Sequence, residues 1–218
     1  VTDVRPAILA TLRDPQFGLD IDIERSATLI AQYLNELYKW NKKINLTSEK
    51  DERSILAKHI YDSLQYSRAV SRDGRILDIG SGAGFPGLPL KIIFPDCQIV
   101  LVESRRKRAS FLSSAIRKLA LTGIEVCNKR AEELWEADKF AGQFDYVLFR
   151  AVSAVKDCLI LGGPFINAGG RIIIKKEPGA EIGSISEGSS PMRLSHTVPV
   201  SSHGGQKSEL LVFAKCST

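Results

Sequence analysis

Arg75-Ile76-Leu77-Asp78-Ile79-Gly80-Ser81-Gly82-Ala83-Gly84-Phe85-Pro86-Gly87 is the stretch that decides how the chain is read. Ile76 to Ile79 form a short apolar strand, three alternate glycines follow, and a helix is expected from Pro86, because proline suits a first helical turn. Strand, glycine turn and helix N-terminus together make a ligand-binding device. The glycines permit a sharp turn and a close approach of backbone to ligand, while free amides at the helix start favour oxygen-rich groups.

Two ligands fit the turn. Gly80-x-Gly82-x-Gly84 matches the first motif of methyltransferases that use S-adenosylmethionine, and Gly82-x-Gly84-x-x-Gly87 also satisfies the dinucleotide fingerprint. Glu103 closes the next apolar strand, Gln98 to Glu103, about twenty residues on, where either nucleotide fold needs an acid for the ribose. The acid supports a ribose without naming the cofactor.

A chain of 218 residues can bury a full core and suggests one main domain with an appendage. It contains no run of apolar residues long enough for a membrane span, and its start, with Asp3 and Arg5, lacks a signal-peptide core. A cytoplasmic protein is expected. Cys97, Cys127, Cys158 and Cys216 show neither a C-x-x-C pair nor histidines at ligand spacing, so core thiols are expected and no metal. The formal net charge of +5 is concentrated: Glu103 to Lys118 holds Arg105, Arg106, Lys107, Arg108, Arg117 and Lys118 against a single acid. Such a cluster beside a cofactor turn suggests a polyanionic substrate, since lysine and arginine neutralise phosphates. An exposed basic helix face with no ligand is the alternative.

Residues 1–72 read as helical. Ile30, Tyr33, Leu34, Leu37 and Ile44 recur near helical period, and a second helix is expected from a capping box at Ser48-Glu49-Lys50-Asp51. Within this cap, Trp40-Asn41-Lys42-Lys43-Ile44-Asn45-Leu46-Thr47 offers groups that recognise bases or fix a helix-ending turn. His59 and Asp62 share a helix face and are expected to tie the cap to the rest of the chain. From 73 to 218 strand and helix alternate. Strands at 98–103, 124–127, 144–149 and 171–176 and helices at 107–121 and 156–161 imply a mostly parallel sheet with helices on both faces.

Beyond a Gly- and Ser-rich loop at 183–191, two strands at 193–200 and 209–215 have no helix between them and are expected to form an antiparallel hairpin. A parallel sheet closed by such a hairpin is the seven-stranded methyltransferase plan. No second domain for hydride transfer remains, so the balance moves to methyl transfer. The fold expected is α/β, a class I, Rossmann-like, seven-stranded S-adenosylmethionine-dependent methyltransferase fold with an N-terminal helical cap.

With these residues assembled, the sequence resembles the RsmG (GidB) family of bacterial ribosomal RNA methyltransferases. Trp40-Asn-Lys-x-x-Asn-Leu-Thr47, His59-x-x-Asp-Ser63, Leu77-Asp-Ile-Gly-Ser-Gly-Ala-Gly-Phe-Pro-Gly87, Arg130-Ala-Glu132, Arg150-Ala-Val152 and Lys176 carry the resemblance. It implies S-adenosyl-L-methionine as cofactor and N7 of a guanosine in 16S ribosomal RNA, naked or in the small ribosomal subunit, as target. By the same resemblance Gly80, Gly82, Gly84 and Phe85 surround the methionine end and sugar of the cofactor, Glu103 accepts from the ribose hydroxyls, and Ala131 and Glu132 border the adenine. Arg150 lies where cofactor and substrate meet and is assigned both to catalysis and to cofactor binding, positioning the cofactor together with the Gly80 to Phe85 turn. Arg130, Lys176, Lys107, Arg105, Arg106 and Arg108 are assigned to substrate RNA, and a monomer is expected. Glu103 replaces an aspartate common in the family, Arg105-Arg106 replaces a more neutral pair, and Glu177-Pro178 follows Lys176 where glycine is common. Guanine N7 carries no proton, so the resemblance implies in-line displacement with no obligatory general base. A metabolite methyltransferase and a non-catalytic RNA-binding module are the competing classes.

Overall fold

The computed structural model describes residues 3–136, 140–150, 154–179 and 192–215. The loop at 183–191, Ala151, Val152 and Cys216 lie outside them. Seven strands form one sheet, β1 (Arg75–Ile79), β2 (Gln98–Val102), β3 (Ile124–Cys127), β4 (Phe144–Phe149), β5 (Ile166–Lys176), β6 (Met192–Ser201) and β7 (Lys207–Lys215), in the order β3-β2-β1-β4-β5-β7-β6. β1 to β5 pair in parallel; β7 runs antiparallel between β5 and β6. The expected closing hairpin is present. Chain order reverses between β1 and β4, so the crevice beyond their C-terminal ends is where such a sheet binds ligands.

Eight α-helices occur among the described residues: α1 (Arg5–Leu12), α2 (Ile23–Ile44), α3 (Glu52–Ile55), α4 (Tyr61–Leu64), α5 (Gly87–Ile93), α6 (Arg106–Lys118), α7 (Ala131–Glu136) and α8 (Val155–Gly162). Residues successive along a strand face opposite sides of the sheet. Ile76, Ile99, Leu101 and Leu148 accordingly join one core with the cap, and Leu77, Val100, Val102 and Val147 join a second core with α8. α2 buries Ile30, Tyr33, Leu34 and Leu37, as its period requires. Tyr33 packs on Phe85 and Phe111, and its hydroxyl donates to the Ala83 carbonyl of the glycine turn. The cap is thus bolted to that turn.

Several boundaries differ from expectation. The second cap helix starts from Asp51 rather than Ser48: Asp51 accepts from both the Ser54 amide (2.9 Å) and hydroxyl (2.7 Å), while Ser48 donates to Glu49. That helix also widens into a π-helical turn at Leu56–Ile60. Pro86 caps α5 instead of opening it, and the Gly87 amide, free of an intrahelical partner at this end, donates to Asp78 at 3.0 Å. The helix α7 (Ala131–Glu136) has no counterpart in the sequence reading. Asn41 accepts from the Thr47 amide (2.8 Å) and donates to the Glu49 carbonyl (2.9 Å), and Trp40 donates to Glu36 and packs edge-on to Phe111. Both residues help to fix the end of α2. Cys97 and Cys158 are buried and Cys127 is half-buried.

Candidate active site

The turn after β1 is held from below. Gly80 and Ser81 donate to the Val102 carbonyl at 2.9 and 3.1 Å, joining the turn to the end of β2. Gly80, Gly82 and Gly84 have φ of 77°, 59° and 96°, a region that side chains strongly disfavour. At Gly84 a Cβ would also come within 2.4 Å of Leu88 Cδ1. The Gly82 amide donates to Oε2 of Glu103 at 3.0 Å, and the Arg105 amide donates to Oε1 at 2.7 Å. Both oxygens of a buried carboxylate are therefore fixed, and each retains acceptor capacity for a hydroxyl.

A cavity of about 600 Å³ opens there, lined by Ile79, Gly80, Glu103, Arg105, Asn128, Arg130, Ala131 and Glu132 among others. Asn128 donates to the carbonyls of Glu103 and Ser104 at 2.8 and 3.1 Å, and Glu133 caps α7 by accepting from the Arg130 amide at 2.9 Å. A cavity of this size suits a nucleoside-sized ligand. The donor set fits S-adenosylmethionine: an oriented carboxylate for a ribose, a turn open to backbone approach, and the exposed start of α7 for the base. Gly80, Glu103, Ala131, Glu132, Arg130 and Arg105 thus share one site. Gly82 joins it through its amide, whereas Gly84 packs under the turn against Leu88 and Leu112.

Phe85 points elsewhere. Its ring lies between Tyr33, His59, which stacks on it at 4.9 Å between centroids, and Arg150, whose guanidinium stands 5.2 Å from the ring centre. Arg150 follows β4 and lines a second cavity of about 690 Å³ with Lys58, Asp62, Lys175, Lys176, Glu177 and the hairpin turn at 202–208. Lys175 pairs with Asp62 at 2.7 Å and Arg150 stands 3.8 Å from the same carboxylate. His59 does not bond Asp62: its two ring nitrogens are taken by Glu49 (2.6 Å) and Arg150 (2.8 Å). Both cavities open at the C-terminal ends of strands, one on each side of the β1–β4 reversal.

Arg105 caps α6, and Arg106, Lys107 and Arg108 fill its first turn with no acid among them. Cations at the positive end of a helix repel the macrodipole, which gives this run a local cost that a bound anion offsets. Arg106 and Lys107 are exposed, and neither cavity is lined by them or by Arg108.

Asp78, in the middle of β1, escapes the sequence reading as a site residue. It is fully buried beneath the turn, Oδ2 accepts from Gly87, and Oδ1 has no hydrogen-bond partner. Burial pushes its carboxyl up to about 7. The signal that could have found it is an acid inside an otherwise apolar strand. Glu49 is held well below the usual carboxylate range by Lys58, His59 and Ser48, which outweigh its partial burial. Burial and Arg150 push His59 down, against the pull of Glu49.

Among the described residues no helix is long and apolar enough to cross a membrane, and no group of three or more His, Cys, Asp or Glu stands at metal-binding distance. Residues 26–208 match the family described as GidB, rRNA small subunit methyltransferase G. Relatives named ribosomal RNA small subunit methyltransferase G include that of Geobacter sp. strain M21, 40% identical over 161 residues, covering 74% of this chain and 73% of the relative. That of Alkaliphilus oremlandii is 35% identical over 170 residues, covering 77% and 71%. Among solved structures, MtNAS in complex with MTA and tNA superposes with a TM-score of 0.59 at 15% identity, over 97% of this chain and 87% of that one. M. jannaschii TYW2 in complex with AdoMet gives 0.56 at 13% identity, over 72% and 74%. At such identities the solved structures speak for the fold alone, a Rossmann-like methyltransferase sheet. A match over most of the length and relatives well above 30% identity carry the rest: this chain belongs to the rRNA small subunit methyltransferase G family.

Proposed function

We propose that this chain transfers the methyl group of S-adenosylmethionine to N7 of one guanosine in 16S ribosomal RNA, with the cofactor in the Glu103 cavity and the target nucleotide in the Arg150 cavity. The observation that carries this reading is the pair of cavities at strand C-termini flanking the β1–β4 reversal, one built for a ribose and one lined by Lys58, Arg150, Lys175 and Lys176. When bound, S-adenosylmethionine supplies a methyl group on a sulfonium that departs as a neutral thioether.

The residues have separable tasks. Glu103 orients the ribose, Gly80 and Gly82 let the backbone approach, and Ala131 and Glu132 border the adenine. Arg150 and Lys176 hold the target nucleotide, while Arg105, Arg106, Lys107, Arg108 and Arg130 bind flanking phosphates. N7 presents a lone pair and no proton, so no side chain need act as a base; the contribution of the protein is in-line alignment at near-attack distance. An exposed or single-stranded base is the substrate, because N7 is inaccessible in the deep major groove of an A-form duplex. We further propose that 1–72 is a cap on the catalytic unit 73–218, and that the protein works as a cytoplasmic monomer.

Paired variants test the division of labour. Glu103→Ala is expected to weaken cofactor binding, measured by calorimetry, and Arg150→Ala to lower turnover on RNA by about 100-fold, the scale of lost positioning. Wild-type turnover and cofactor affinity in Arg150→Ala would remove that residue from the mechanism.

A further inference from the structure

His59 lies in the π-helical turn Leu56–Ile60. Such a turn departs from the regular i to i−4 pattern and often occurs at functional sites. The imidazole lies flat on Phe85, with 14° between the planes. Nε2 stands 2.6 Å from Oε2 of Glu49, and Nδ1 stands 2.8 Å from Nη2 of Arg150. A guanidinium only donates and an ionised carboxylate only accepts. These partners fix the tautomer: Nε2 carries the proton and Nδ1 the lone pair.

We propose that His59, neutral and protonated at Nε2, is a positioning residue that holds Arg150 over Phe85 at the edge of the substrate cavity, with Glu49 locking the tautomer. The inference rests on the reading of Arg150 as a substrate-binding group. It also gives a task to the Trp40 to Thr47 motif of the cap, which lines neither cavity. Asn41 donates to the Glu49 carbonyl, Ser48 and Lys58 hold the Glu49 carboxylate at 2.9 and 2.6 Å, and Glu49 orients His59. A continuous set of bonds therefore runs from the end of α2 to the guanidinium.

Protonation of Nδ1 would remove the acceptor and set an imidazolium N–H against a guanidinium N–H. The charged groups around the ring are Glu49 and Lys58 from the cap and Arg150 from the end of β4, with Asp62 and Lys175 beyond Arg150. Glu49 is the acid bonded to the ring, and it sits on Nε2, where it cannot restore the lost acceptor. Arg150 positioning is therefore expected to fail in acid, below the range in which Asp78 titrates.

The test is methyl transfer to small ribosomal subunits, with kcat and KM measured from pH 5 to 8.5 for wild type, His59→Ala, His59→Asn, Arg150→Ala and the His59→Ala/Arg150→Ala double variant. Asparagine places an acceptor near the position of Nδ1 and does not titrate. His59→Ala is expected to lower kcat/KM for RNA by about 10- to 100-fold with cofactor affinity unchanged, and His59→Asn to recover most of it. The wild-type loss on the acid side of the ordinary histidine range, near tenfold per unit, should be absent from His59→Asn, and the double variant should be no worse than Arg150→Ala. Nitrogen NMR of the wild-type imidazole reads the tautomer directly even if the alanine variant fails to fold, with Nε2–H expected at pH 7. An Nδ1–H tautomer or imidazolium at pH 7, an Asn variant as poor as Ala, or an impaired Arg150→Ala beside an active His59→Ala overturns the inference. Full activity in Arg150→Ala instead overturns the reading of Arg150 on which it rests.

Discussion

Glu103 enters binding with little freedom left to lose, since the Gly82 and Arg105 amides each hold one of its oxygens. Hydrogen bonds to a charged group contribute about 1.5–3 kcal/mol each, so Glu103→Ala is expected to weaken S-adenosylmethionine binding by at least about tenfold. Calorimetry on the two proteins reads this; an unchanged Kd would remove Glu103 from the ribose site. Asp78 gives a prediction of pH dependence. It ionises near 3.8 when unfolded and near 7 in the folded chain, so between those values the folded state holds more protons and stability falls as pH rises. Above about pH 7 the loss levels off, at about 4 kcal/mol for a shift of roughly three units. Glu49 acts in a separate window and with opposite sign: its contribution is present above about 4.5 and lost as pH falls. His59, whose pKa is lowered by burial and by Arg150, acts between pH 5 and pH 8 with the opposite sign, so Asp78 is isolated by comparison with Asp78→Asn. Relative to that variant, the wild type should lose stability from pH 5 to pH 8 in denaturant titrations. The two acids also differ in legibility. Glu103 is readable because an acid ending an apolar strand has a spacing and a task, whereas the shift of Asp78 arises from burial by α5 and the turn, which sequence spacing does not encode.

Elements with strong periodicity are legible and those defined by a single hydrogen bond are not. α2 declares itself by its buried stripe and β1 by its apolar run into the glycines. The start of the second cap helix turns on which side chain reaches the Ser54 amide, and Asp51 does so in place of Ser48. The π-helical turn that aims His59 has no sequence signature. At the turn, Gly84→Ala combines a φ of 96° with a Cβ 2.4 Å from Leu88. Its expected cost is about 1–3 kcal/mol from backbone strain alone, visible as a lowered Tm. The basic first turn of α6 gives the other element-scale prediction. Reversing Arg106 and Lys107 to glutamate should weaken RNA binding, and the dependence of log affinity on log salt should flatten by about 0.7–0.9 for each phosphate that is no longer neutralised. Cofactor affinity, measured in parallel, should not move. Equal RNA affinity across salt would mark the run as solvated surface.

The parallel pairing of β1 to β5 and the closing hairpin follow from connection rules applied to the sequence, whereas the strand order is read from the structure. What does not follow is how the cap meets the sheet, because that depends on packing between residues far apart in the chain. Tyr66 donates to the Phe149 carbonyl at 2.8 Å, Gln65 to the Ser201 carbonyl at 2.7 Å, and the cap shares one apolar core with β1, β2 and α6. A chain lacking 1–72 would expose that core and is expected to lose cooperative unfolding, as judged by calorimetry, even though 73–218 holds every strand. The same packing sets Phe85, His59 and Arg150 together between the two cavities, and the proposed methyl transfer requires this arrangement. The proposed activity is tested most directly by methyl transfer from radiolabelled S-adenosylmethionine to small ribosomal subunits and free 16S RNA from a strain lacking this activity, followed by mapping of the modified base. Label at N7 of a single guanosine is the predicted result; label at another atom or at scattered bases, or none despite bound cofactor, would contradict it.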